Sequence, residues 1–140
     1  AMLAQVRAFL EKNGDALFTW THRAADDHRP NTALRAGFKR LVNKDGEPIK
    51  WDGAQDWAEK GVYREDRAAS FAQVEYLVLP EAFKRDLCKG FDSQAVAKVL
   101  RAAGVLIHQK DRLMNKVRLP TMGENPVSVF HISGRIFEGE

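Results

Sequence analysis

The stretch PEAFKRDLCKGFDSQAVAKVLRAAG at residues 80–104 decides the fold class that the sequence predicts. Proline is favoured in the first turn of a helix and glycine just past the last turn, so Pro80 and Gly90 predict a helix over Pro80–Lys89. Asp92 is a favoured N-cap residue and predicts the start of a second helix. Two helices joined by so short a turn are typical of a helix-turn-helix motif.

The second helix is predicted to be amphipathic and to end at about Ala103, because Gly104 is a favoured C-terminal stop. Its apolar residues recur at helical spacing, which predicts one buried stripe. The stripe consists of Val96, Val99, Leu100 and Ala103. The polar residues of the opposite face are Gln94, Lys98 and Arg101. A recognition helix requires this division between a packed and a polar face, although an ordinary surface helix shows it too. Ser93 and Gln94 in the first turn are also expected to favour a phosphate, because the helix dipole is positive there.

Alternating apolar residues after the two helices predict three strands. The strands are Val105–His108, Leu113–Leu119 and Val127–Ile132, with a turn at Gly123 before the last. Basic residues occur along this segment at Lys110, Arg112, Lys116 and Arg118. The even numbers of the last three predict that they share one face of a strand. A cationic β hairpin behind a helix-turn-helix is typical of a wing, so the predicted fold class is α+β and winged-helix-like.

The remaining sequence predicts one domain over 1–140 that contains an insertion. Residues 2–46 are expected to form an N-terminal amphipathic helix over 2–13 and a hairpin, with strands at 17–20 and 34–42. Residues 47–70 hold Trp51 and Trp57 among charged residues and read as an insertion with one short helix around 53–60. Residues 71–133 hold the strand Val74–Leu79, the helix-turn-helix and the wing.

Positive charge is concentrated in the same segment. Residues 80–120 contain nine lysines and arginines against four acidic residues, a net charge of +5, whereas the rest of the chain has 13 basic and 15 acidic residues, a net charge of −2. A local positive field of this kind attracts phosphate backbones, although a solvated basic face produces the same imbalance.

Motifs for catalysis and for cofactor or metal binding are absent from the sequence. There is no phosphate-binding loop, and the four histidines have no metal-binding spacing, so no catalytic residue, metal or cofactor is predicted. The cluster Asp26-Asp27-His28, with His22 nearby, is the one candidate for a small independent enzyme. Cys88 is the single cysteine and is expected to be buried and inert. No apolar run approaches the length of a membrane span and no signal peptide precedes the chain, so a cytoplasmic protein is expected.

Several motifs carry a resemblance to a known family. They are the run Arg35–Arg40 (RAGFKR), the run Glu75–Asp92 (EYLVLPEAFKRDLCKGFD) and the run Ala95–Leu100 (AVAKVL). Over roughly residues 34–120 the chain resembles the C-terminal module of bacterial helicase- or primase-like ATPases carried by phages and integrative conjugative elements. That group is a domain of unknown function related to superfamily II helicases and their inactivated derivatives. The resemblance implies an ATPase domain upstream of this segment and carries over no catalytic residue.

The leading functional hypothesis is a non-catalytic domain that binds or positions duplex or forked DNA for a mobile-element replication protein. Four residues are expected to face the groove: Ser93, Gln94, Lys98 and Arg101. Seven residues are expected to contact the backbone: Lys84, Arg85, Lys89, Lys110, Arg112, Lys116 and Arg118. The alternative is a protein-interaction or oligomerisation module on the same scaffold, with Trp51, Trp57 and Tyr63 as anchors.

Overall fold

The computed structural model describes residues 1–21, 35–43, 45–48, 73–119 and 122–138. Most of the predicted insertion at 47–70, including its short helix around 53–60, therefore lies outside the described residues. The described residues combine helices with a β-sheet, which confirms the predicted α+β class. The predicted boundaries of the domain and of the insertion stay predictions. Within the described ranges, no helix has the length and apolar character needed to cross a membrane.

Three helices and six strands are found in the described residues. The helices are α1 (Met2–Asn13), α2 (α-helical over Pro80–Ala82 and π-helical over Phe83–Leu87) and α3 (Ser93–Ala102). The strands are β1 (Phe18–Trp20), β2 (Gly37–Val42), β3 (Gln73–Val78), β4 (Leu106–Ile107), β5 (Asn115–Val117) and β6 (Val127–Ile132). A 3₁₀ turn over Gly134–Phe137 follows β6.

The strands form one sheet in the order β1-β2-β3-β6-β4, and β5 also pairs with β6. Only β1 and β2 are parallel; the other pairs are antiparallel. The three strands predicted after the helices exist, but two of them are shorter than predicted and only β6 has the predicted bounds. The sheet is also larger than the wing that the sequence predicts, because β3 pairs with β6 on one side and with β2 on the other.

The helices pack on one face of the sheet, which we call the helix face. Tyr76 and Val78 of β3 and Ile132 of β6 lie there in one apolar cluster with residues of all three helices. The ring of Phe130, on the same face of β6, stacks on the buried ring of Phe83 with centroids 3.9 Å apart and planes at 15°. This contact fixes α2 against the middle of the sheet.

The opposite face of the sheet carries a second, smaller apolar cluster and a buried polar network. The cluster consists of Phe38, Leu77, Leu119 and Val129, each no more than 1% exposed. The network is centred on the Glu75 carboxylate, which accepts hydrogen bonds from His131 Nε2 at 2.6 Å and from Arg40 Nε at 3.3 Å. Burial of these charged groups is possible because each has a partner.

Helix α2 differs from the predicted α-helix over Pro80–Lys89. From Phe83 onward it winds as a π-helix, and the Cys88 N–H donates to the Phe83 carbonyl at 3.0 Å. The wider turn accommodates one more residue than an α-helical turn, so that both Phe83 and Leu87 are fully buried. Gly90 ends the segment in the left-handed region, with φ +86°, as its position predicts.

Candidate nucleic-acid interface

Helix α3 begins and ends as the sequence predicts. The Asp92 side chain accepts a hydrogen bond from the Ala95 N–H at 3.0 Å, which is an N-cap bond. At the other end Gly104 adopts φ +77°, and the Val105 N–H donates to the Leu100 carbonyl at 3.1 Å. Both ends are therefore fixed by local hydrogen bonds, which orients the helix relative to the residues that precede and follow it.

The buried stripe of α3 is rotated from the predicted one. Val96 and Leu100 are buried as expected, but the third buried residue is Ala97, while Val99 is 36% exposed and Ala103 is exposed. Ala97 belongs to the apolar cluster that contains residues of α1, and its small side chain permits a close approach of the two helices. The prediction that Val99 and Ala103 pack inward is therefore wrong, because helix packing rather than hydrophobicity decides the inner face.

The polar face of α3 is open to solvent. Gln94, Lys98 and Arg101 are all exposed, together with Val99. Ser93 is half-buried. The cap bond of Asp92 occupies one of the free N–H groups of the first turn and places a carboxylate there. The expectation that a phosphate binds at this helix end is therefore not supported, because the carboxylate would repel it.

The β5–β6 hairpin presents cations on the helix face of the sheet. Lys116 lies directly across from Ser128 of β6, and by strand alternation Ser128 shares the helix face with Phe130. Arg118, two residues further on, has the same alternation, and both cations are exposed. Arg112 does not share their strand face as predicted, because it lies in the turn before β5; its side chain is nevertheless exposed.

A cleft of about 230 Å³ lies between the first turn of α3 and the hairpin. Its lining residues are Gln94, Gln109, Arg112, Leu113, Met114, Ser128 and Phe130. Two predicted site residues, Gln94 of α3 and Arg112 of the turn before β5, thus meet in one concave feature. Gln109 and Ser128 also line it, although no pattern in the sequence singles them out. Lys110 is exposed in the same turn region as Arg112.

The cations of α2 lie on a different part of the surface from this cleft. Lys84, Arg85 and Lys89 are exposed as predicted. Lys89 and Asp86 line a shallow depression on the α1 side of α2, together with residues of α1. The guanidinium of Arg85 forms an ion pair with Asp86 at 3.1 Å, which partly neutralises its charge.

Candidates for catalysis gain little from the structure. Residues 22–34, which include the cluster Asp26-Asp27-His28, lie outside the described residues. Within the described ranges no group of three or more His, Cys, Asp or Glu side chains is arranged to hold a metal ion. Burial, with a smaller contribution from Asp92, raises the pKa of Cys88 to about 12, so this thiol is not a nucleophile at neutral pH.

The comparisons with known proteins add no assignment: no protein-family model, no curated protein and no solved structure matches the chain.

Proposed function

We propose that the described part of the chain is a winged-helix module that binds duplex or forked DNA. In this proposal α2 and α3 form the helix-turn-helix and the β5–β6 hairpin is the wing. Strands β1 and β2 then extend the sheet at the edge away from the wing. Helix α3 acts as the recognition helix, since it buries one side on its neighbours and exposes the other.

The observation that carries this proposal is the exposed polar face of α3 next to a cationic hairpin face. Gln94, Lys98 and Arg101 offer groups that hydrogen-bond to base edges or phosphates. Lys116 and Arg118 project from the helix face of the sheet, so they approach DNA from the same side as α3. Ser93 has less access to a groove, because it is half-buried.

Phosphate contacts are expected to dominate the affinity. The side chains proposed for them are Lys84, Arg85, Lys89, Lys110, Arg112, Lys116 and Arg118. If about four to six phosphates are neutralised, the affinity falls steeply with salt and depends little on sequence. Lys110, Arg112, Lys116 and Arg118 are the stronger candidates, since they flank α3 through the cleft and the hairpin, whereas Lys89 faces the α1 side.

The resemblance of residues 34–120 to the C-terminal module of mobile-element helicase- or primase-like ATPases supports a role for this binding. We propose that the module holds DNA for an ATPase domain of the same protein, located upstream, and takes no part in the chemistry. Host elements of this group include phages and integrative conjugative elements. A cytoplasmic location follows from the same proposal.

A salt-titrated fluorescence anisotropy experiment tests DNA binding. Lys98→Glu combined with Arg101→Glu is expected to weaken binding to labelled duplex by at least tenfold at low salt, because two cations on the exposed face of α3 are reversed. The matched control is Lys12→Glu combined with Arg135→Glu, which changes the net charge equally at exposed positions on α1 and the 3₁₀ turn. Equal losses in the two double variants would show that only net charge matters.

Exposed apolar side chains favour the alternative, a protein-interaction or oligomerisation module. Phe91 in the turn between α2 and α3 is 38% exposed, and Met122 near the hairpin tip is 41% exposed. Large apolar groups at such positions are typical of contact surfaces. A stable homo-oligomer in sedimentation, without affinity for any DNA, would support this alternative. The proposed anchors Trp51, Trp57 and Tyr63 lie outside the described residues.

A further inference from the structure

The cleft between α3 and the hairpin combines hydrogen-bonding groups with an apolar lining. Its polar groups are two primary amides, one guanidinium and one hydroxyl, from Gln94, Gln109, Arg112 and Ser128. Its apolar groups come from Leu113, Met114 and Phe130. Among the described residues, no carboxylate lines it. A neutral or anionic ligand with a flat apolar surface and a polar edge matches this lining.

The lining is held by the centre of the fold. Phe130 and Ser128 belong to β6, which pairs with β3, β4 and β5. The Phe130 ring also stacks on Phe83, which is fully buried. Little rearrangement is therefore needed to form the cleft, and a preformed site retains more of its binding energy for the ligand.

A nucleobase has the chemistry that this cleft recognises. A glutamine amide makes paired hydrogen bonds with a base edge, and an arginine guanidinium stacks on a base or binds the adjacent phosphate. Apolar side chains support the base face. The exposed Lys116, across the hairpin from Ser128, and Arg118 place positive charge on the same face for the flanking phosphates.

A base within a continuous duplex cannot enter a concave cleft, because its faces are covered by its neighbours in the stack. We propose that the cleft binds one unpaired base of DNA at a fork or an open end. This inference rests on the proposed DNA-binding function and deepens it. It makes the protein selective for the junction between paired and unpaired DNA.

The test compares a forked duplex with a blunt duplex of the same length and uses 2-aminopurine at the first unpaired position. The protein is expected to bind the fork roughly tenfold more tightly, which is the order expected for stacking of one base. The 2-aminopurine fluorescence is expected to change on binding. Gln109→Ala and Ser128→Val should remove most of this preference and the fluorescence change, while leaving affinity for the blunt duplex within twofold.

Lys98→Ala is the control, because its side chain is exposed on α3 and is not among the cleft lining; it should weaken both DNAs by the same factor. Equal affinity of the unaltered protein for fork and blunt duplex overturns the cleft proposal but leaves DNA binding intact. No affinity for either DNA overturns the proposed function itself. Displacement of the fork by millimolar adenosine monophosphate, lost in Gln109→Ala, identifies a free nucleotide as the occupant and also overturns the proposal.

Discussion

Replacement of Glu75 tests whether the buried polar network stabilises the attachment of the hairpin to the sheet. The Glu75 side chain is 4% exposed and accepts hydrogen bonds from His131 at 2.6 Å and from Arg40 at 3.3 Å. The other ring nitrogen of His131 lies 3.0 Å from the side-chain nitrogen of Asn115 in β5. The network thus connects β2, β3, β6 and the first strand of the hairpin.

The expected cost follows from burial. Removal of one member of a buried charged pair costs about 3–5 kcal/mol, because the partner is left buried without compensation. Arg40 keeps some contact with water, since its side chain is 22% exposed. We therefore expect Glu75→Ala to lower the free energy of unfolding by about 3 kcal/mol. Glu75→Gln keeps an acceptor for His131 but removes the charge near Arg40, and should cost roughly half as much.

Urea denaturation measures the difference. With a slope of about 1–3 kcal/mol per molar urea, the midpoint of Glu75→Ala should fall by at least about 1 M. Glu124→Ala is the control, because this carboxylate is exposed, and its midpoint should not change measurably. A midpoint for Glu75→Ala that matches the control would refute the idea that this network stabilises the fold.

Three further predictions concern the backbone and the thiol. Gly37→Ala should prevent folding or lower the melting temperature severely, because a Cβ at this position would lie 2.0 Å from the Leu77 carbonyl oxygen, a backbone atom of the paired strand. Asp92→Ala should lower the free energy of unfolding by about 1 kcal/mol in urea denaturation, because the cap bond to the Ala95 N–H is lost. Cys88 should resist iodoacetamide at pH 8 in the folded protein, because it is buried and its pKa is raised to about 12.

Controls for these predictions are available nearby in the chain. Gly90→Ala meets no neighbouring atom, so it should cost only the strain of its left-handed backbone, about 1–2 kcal/mol. Ser93→Ala leaves the cap bond intact and should be nearly neutral. Rapid alkylation of the thiol in 8 M urea would show that the protein protects it; equally rapid alkylation without urea would contradict the burial.

The parts of the fold that depend on neighbouring residues were predictable from the sequence. Asp92 and Gly104 fix the ends of α3 through contacts within a few residues, and the alternation of 127–132 defines β6. The inner face of α3 was not predictable, because the contact of Ala97 with the α1 cluster is tertiary. The π-helical turn has no signature in the composition of its residues.

The candidate site shows the same division. The exposed residues Gln94, Lys98 and Arg101 follow from helical spacing alone. The cleft does not, because Gln109 and Ser128 are 19 positions apart and meet only through the pairing of β4, β5 and β6. Sequence reasoning therefore located the polar face of the helix and missed the concave feature beside it.

The extra residue in helix α2 makes the length of this segment a structural requirement. Deletion of one exposed residue, such as Arg85, would allow regular α-helical winding but would turn every later side chain by about 100° around the axis. Leu87 would then leave the interior, and α3 would enter at a different angle. Substitutions at the exposed positions preserve the residue count, whereas a single-codon deletion would reorient the whole second half of the protein.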